Sequence, residues 1–130
     1  GAASANVLRT LNSIGGTYDK AFIEPNGTNS LASFLKKYNE TSIEILKIDV
    51  EGSELPILSA FLPTNPVCHV LVEVHNQMLH TLKKLSEWGY FLYHYEPNTL
   101  SPPLSEFSFI HRNCVSHYGA LPLAPFLSFV

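Results

Sequence analysis

The sequence predicts an α/β layered fold built on a mainly parallel sheet with an antiparallel edge hairpin. Two patterns predict it. Apolar, β-branched runs alternate with amphipathic helical stretches, as strand–helix–strand crossovers require, and the last two strand-like runs are joined by a loop without a helix, as antiparallel neighbours are. A chain of 130 residues, 45% of them apolar, holds one hydrophobic core and not two.

The elements follow in order. Ala21-Phe22-Ile23, closed by Pro25-Asn26-Gly27, reads as a short strand ending in a turn. The residues before it, through Gly15-Gly16, give no clear pattern. Thr28, Asn29 or Ser30 can cap a helix in which Leu31, Phe34, Leu35 and Tyr38 follow the i, i+3, i+4, i+7 spacing, and Lys36 and Lys37 suit the negative end of its dipole. Residues 43–50 read as a strand buried on both faces, in which Lys47 needs a carboxylate partner. Gly52 allows a sharp turn into a short helix over residues 53–60, with Pro56 near its first turn. Residues 67–74 form a second apolar strand. Residues 78–88 form a helix with Leu79, Leu82 and Leu85 on one face, stopped by Gly89. Residues 90–95 make a third strand, 97–105 a loop, and 107–111 a fourth strand. The aromatic stretch Trp88, Tyr90, Phe91, Tyr93 and Tyr95 reads as packing at the sheet edge.

Composition narrows the function. A net charge of −3 with 15% charged residues leaves no basic stripe for phosphates, which argues against nucleic acid. No run of about 18 apolar residues is present to span a bilayer. Residues 120–130 are apolar but broken by Pro122 and Pro125, so they read as a chain end packed on the domain. Residues 1–5 lack the charged and apolar regions of a signal peptide. Cys68 and Cys114 form neither a disulfide framework nor a zinc-ligand set by spacing and read as buried small hydrophobes. Asn26-Gly27-Thr28 and Asn39-Glu40-Thr41 match the N-glycosylation acceptor. They point toward the secretory pathway, with a cytoplasmic location as the alternative.

In open α/β sheets, ligands bind beyond the carboxyl ends of the strands. One strand ends Asp49-Val50-Glu51-Gly52 and the next ends Glu73-Val74-His75-Asn76. If the two are parallel neighbours, Asp49, Glu51, Glu73 and His75 meet at one rim, while Val50 and Val74 point away. Crowded carboxylates raise one another's pKa, which tunes an acid or base for neutral pH. A lone acid at a strand end is more ordinary, and Asp49 or Ser53 could simply cap the next helix. The other histidines, His69, His80, His94, His111 and His117, show no metal-ligand spacing.

Leu46-Lys47-Ile48-Asp49-Val50-Glu51-Gly52-Ser53-Glu54 closely resembles the hallmark of FkbM-type methyltransferases, written loosely as L-K-I-D-V-E-G-x-E. The Ser30-Leu31-Ala32-Ser33-Phe34-Leu35 helix, the Val70-Leu71-Val72-Glu73-Val74-His75 strand and the Trp88-Gly89-Tyr90 helix stop fall where that family places them. The resemblance runs from about Asn29 to about Asn113, after an irregular segment over residues 1–28 and before a tail over 114–130. The ending Glu106-Phe107-Ser108-Phe109-Ile110-His111 looks like the divergent animal branch.

The resemblance implies a partial Rossmann-like methyltransferase fold, the C-terminal half of the domain with its N-terminal strands missing. It implies S-adenosylmethionine as cofactor and methyl transfer to the hydroxyl of a small-molecule or glycan-like acceptor. Asp49 and Glu51 would face the transfer site, and Glu73 and His75 would hold or deprotonate the acceptor. The family's glycine-rich cofactor loop and acidic ribose-binding residue are not found before residue 43, and Gly15-Gly16 lacks both the third glycine and the preceding strand of such a loop. The chain therefore reads as an O-methyltransferase or a piece of one. The alternative is a degenerate, non-catalytic module that pairs with the missing N-terminal half or another chain. A third reading, metal-assisted hydrolysis, would use the same four rim residues as ligands of a hard divalent cation.

Overall fold

The computed structural model describes residues 4–100 and 104–121. The expected packing of residues 122–130, and the middle of the 97–105 loop, lie outside the described residues. Among the described residues the fold is mixed α/β, with four α-helices and a four-stranded sheet. Helix α1 spans Ala5–Ser13, α2 Leu31–Lys37, α3 Glu54–Phe61 and α4 Met78–Glu87. Strand β1 spans Ile45–Ile48, β2 His69–Val74, β3 Tyr90–Pro97 and β4 Ser105–His111.

Sheet order is β1-β2-β4-β3. Only β1 and β2 pair in parallel; β4 pairs antiparallel with both β2 and β3. The expectation of a mainly parallel sheet is thus corrected. Helix α4 does carry the chain back so that β3 runs with β2, but β4 folds into the space between them and converts that junction into two antiparallel ladders. The helix-free loop does make β3 and β4 antiparallel neighbours, with β3 at the edge.

Across β1, β2 and β4 one face of the sheet is dry, while the edge strand β3 is exposed beyond Tyr90. Leu46 and Ile48 of β1, Val70 and Val72 of β2, and Phe107 and Phe109 of β4 are buried, and Ile57, Leu58 and Phe61 of α3 with Leu85 of α4 join the same cluster. The alternate residues face outward, which overturns the expectation of a strand buried on both sides at 43–50. Ile45 is 60% exposed, and Lys47 pairs at 3.5 Å with Glu106 on the open face, both side chains well exposed. The carboxylate partner expected for Lys47 is therefore present, across the sheet rather than within a core.

Local details follow from capping and turn chemistry. The Ser30 hydroxyl accepts from the Ser33 amide at 3.2 Å and starts α2. Gly89 ends α4 at φ +91, a conformation that favours glycine. On α4 the buried line runs through Thr81 and Leu85, with Met78, Leu82 and Trp88 partly buried; Leu79, expected on that face, is exposed. Tyr90 is buried and its hydroxyl bonds to both the amide and the carbonyl of Val67 at 2.9 Å. Phe91, Tyr93 and Tyr95 are about half exposed, so packing accounts for Tyr90 and only partly for its neighbours. Ala21-Phe22-Ile23 lies outside the sheet, and α1 forms within the segment read as irregular, with no buried residue.

Cys68 and Cys114 are joined in a disulfide across 46 residues, which corrects their reading as free core cysteines. Sequence spacing carries no information on such a pairing. The bond ties the start of β2 to the 3-10 turn Arg112–Cys114 after β4, beside the His111 amide donating to the Cys68 carbonyl at 2.8 Å. Closing a loop of that length removes unfolded-state entropy worth about 4 kcal/mol on the chain-entropy account. The Cys68→Ala/Cys114→Ala double variant should therefore unfold at a clearly lower denaturant midpoint than the oxidised chain, by several kcal/mol in equilibrium unfolding.

Candidate functional site

The parallel pairing of β1 with β2 places their carboxyl ends side by side, and the four residues expected at the rim do meet there. They meet around His75. Its Nε2 lies 3.5 Å from Glu51 Oε2, 3.6 Å from Asp49 Oδ1 and 3.7 Å from Glu73 Oε1. The imidazole and the Glu73 side chain are partly buried, Asp49 is about half exposed, and Glu51 is open to solvent. Val74 points into the core and Val50 packs against it, as strand periodicity requires.

The residue that organises the cluster is Glu54, the first residue of α3, to which the sequence reading assigned no role. Its side chain is 2% exposed. Oε1 accepts from the Val50 amide at 3.2 Å and the Gly52 amide at 3.0 Å, and it lies 2.7 Å from His75 Nδ1. The available signal was its place at the end of the hallmark, two residues after the turn glycine. An acid in the first turn of a helix has an ordinary explanation in the helix dipole, which hid it.

The turn that delivers Glu54 is conformationally costly. Glu51 sits at φ +56 and Gly52 at φ +103, consecutive left-handed residues of which only the second is glycine. A Cβ on Gly52 would lie 2.6 Å from Asn76 Nδ2, so the β1–α3 turn and the end of β2 interlock here.

Protonation follows from these contacts. Burial alone would push Glu54 upward, but the Gly52 amide, its own amide, His75 and the Val50 amide together hold its pKa below the ordinary 4.5. Glu54 is therefore an ionised acceptor, and the proton of the 2.7 Å contact sits on His75 Nδ1. Burial would depress His75, yet the hydrogen bond to Glu54 and the charges of Glu54, Glu51 and Asp49 hold it above the ordinary 6.5. The protonated ring turns Nε2–H toward the carboxylates. After deprotonation the same hydrogen bond to Glu54 leaves a basic Nε2 facing the rim.

Two clefts flank the cluster. One, of about 270 Å³, is lined by Gly52, Glu54, Leu55, Pro56, Asn76 and Gln77 among others. The other, of about 280 Å³, includes Glu73, Glu96, Asn98 and Glu106. Glu73, Glu106 and Glu96 are direct cross-strand partners on β2, β4 and β3. Like charges opposite one another destabilise a sheet, and Lys47 at Glu106 offsets part of that.

Asp49, Glu54 and His75 each offer a ligand atom within 4.8 Å of the others. Glu54 Oε1 and His75 Nδ1 are already engaged with each other and Oε1 with two backbone amides, which leaves Nε2 as the ring atom facing the rim. No helix among the described residues is long and apolar enough to cross a membrane.

Three outcomes follow. Gly52→Ala should destabilise by roughly 1–3 kcal/mol in chemical unfolding. Glu54→Ala should cost about 3 kcal/mol, because buried donors lose their acceptor. In a pH series, stability from Glu54 is present above pH 4.5 and lost as pH falls through its lowered folded value; that from His75 is full below pH 6.5 and lost as pH rises through its raised folded value. The unfolding midpoint should decline on both sides, and His75→Gln should abolish the part of the alkaline decline that His75 causes.

Comparison with known proteins gives one result. The model of the methyltransferase FkbM domain matches residues 5–92, more than half of the chain, including α1 and the whole rim. No curated protein and no solved structure matches. The chain belongs to the FkbM methyltransferase family.

Proposed function

We propose that this chain takes part in S-adenosylmethionine-dependent methylation of a hydroxyl group, with His75 as the proton acceptor and Glu54 as the residue that positions it. The observation that carries the reading is the Glu54–His75 pair at 2.7 Å with Nε2 directed at an acidic rim. When bound, the cofactor would supply an electrophilic methyl on a cationic sulfonium. Asp49 and Glu51 complement positive charge at that point, and neutral His75 Nε2 can take the proton of a hydroxyl placed within hydrogen-bond reach. Glu73, Glu96 and Glu106 line a cleft whose acceptor oxygens suit a hydroxyl-rich, glycan-like or small-molecule acceptor.

The donor set fits the reacting end of the cofactor and not its nucleoside end. Among the described residues, Gly15-Gly16 follows a helix and not a strand, so no glycine-rich strand-to-helix cradle is present there. We therefore read the sheet as the C-terminal half of a Rossmann-like methyltransferase sheet, with the nucleoside held by strands beyond β1. The second reading, a non-catalytic module that pairs with such a half or with another chain, rests on the same observation. A rise in melting temperature at millimolar S-adenosylmethionine would count against it, since a ligand of the native state stabilises that state.

The test of the first reading is transfer of labelled methyl from S-adenosylmethionine to a panel of hydroxyl acceptors. The His75→Ala rate should fall by about 10²–10⁴ with cofactor binding retained. The rate should climb with pH as His75 loses its proton, above its ordinary 6.5, and Glu54→Gln should move that limb to lower pH. Full activity in both His75→Ala and Asp49→Ala would overturn the site.

A further inference from the structure

We propose that Asn26 and Asn39 carry N-linked glycans and that the chain matures in an oxidising secretory compartment. Two independent observations support this. The first is the Cys68–Cys114 disulfide. Such bonds persist in oxidising compartments and are rare where thiol reductants dominate, and this one joins the start of the central strand β2 to the segment after β4. The second is the placement of both acceptor sequences. Asn26 lies exposed in the bend that follows Pro25, with Thr28 exposed two residues on. Asn39 lies exposed just beyond α2 at φ +55, with Thr41 exposed as well.

Both acceptor sequences fall in surface turns, where the amide nitrogen can be reached, at opposite ends of α2. Neither asparagine belongs to the rim or lines the two clefts, so a large polar substituent at either position leaves the site open.

The chemistry is that of amide transfer. The Asn Nδ2 forms a bond to the anomeric carbon of a lipid-pyrophosphate-linked glycan, the bond from that carbon to the phosphate oxygen breaks, the lipid pyrophosphate leaves, and one amide proton is released. The Cys68 and Cys114 thiols pass two electrons and two protons to the disulfide of a dithiol oxidoreductase, which is reduced as they are joined.

The test uses protein isolated from the cells that make it. Free thiols are alkylated before reduction, and glycans are then removed with peptide N-glycosidase in ¹⁸O water. Mass spectrometry should find Asn26 and Asn39 converted to ¹⁸O-labelled aspartate, Asn29 unchanged, and Cys68 and Cys114 alkylated only after reduction. An unlabelled Asn26 or Asn39 overturns that site. Both unlabelled, or both cysteines alkylated before reduction, overturns the compartment. In the same cells Thr28→Ala should remove the label at Asn26 alone and Thr41→Ala that at Asn39 alone; a label that survives its own substitution overturns the assignment.

Discussion

One buried carboxylate oxygen joins the parts of this molecule that form the candidate site. Glu54 Oε1 takes the amides of Val50 and Gly52 on one side and the imidazole of His75 on the other. It thereby fixes the turn after β1, the start of α3 and the end of β2 relative to one another. Ionised and buried, it can exist there only because it is surrounded by donors. Those donors hold its pKa down, and its hydrogen bond and charge, with the charges of Glu51 and Asp49, hold that of His75 up. Stability and the protonation of the candidate base are in this way the same interaction seen from two sides.

The sheet around this contact is one-sided. Its inner face is a conventional core of valine, leucine, isoleucine and phenylalanine. Its outer face and carboxyl rim carry charge in an arrangement that folding alone would not select. Three glutamates stand opposite one another across β2, β4 and β3, and three carboxylates crowd one imidazole nitrogen. Local rules of sheet stability are broken at the positions lining the clefts. On the function proposed above, an acidic rim of this kind would suit a cationic methyl donor and a hydroxyl acceptor.

The elements from α2 onward were legible in the sequence because they rest on local signals: the Ser30 cap, the Gly89 stop, the β-branched runs; α1 was not, and the short run Ala21-Phe22-Ile23 joins no sheet. Their arrangement was less so. That β4 inserts between β2 and β3 is a long-range choice, made by how the final hairpin covers the open side of β2, and no period records it. The burial of residues 43–50 was overread because apolar composition does not say whether a second layer exists. Asp49, Glu51, Glu73 and His75 could be placed together from strand ends alone, since parallel pairing brings those ends into line. Glu54 could not be singled out, because its role depends on a pair of positive-φ residues that turn its carboxylate back under the strand. The disulfide was hidden for the same reason, as 46 residues of intervening chain hold no local trace of it.

The account stands most directly on the charge state of one ring. Titration of His75 by nitrogen-15 NMR reports both its pKa and which nitrogen keeps the proton. The account predicts a pKa above 6.5, a neutral form protonated at Nδ1, and a fall in that pKa in Glu54→Gln. A pKa at or below 6.5, or a neutral form protonated at Nε2, would contradict it.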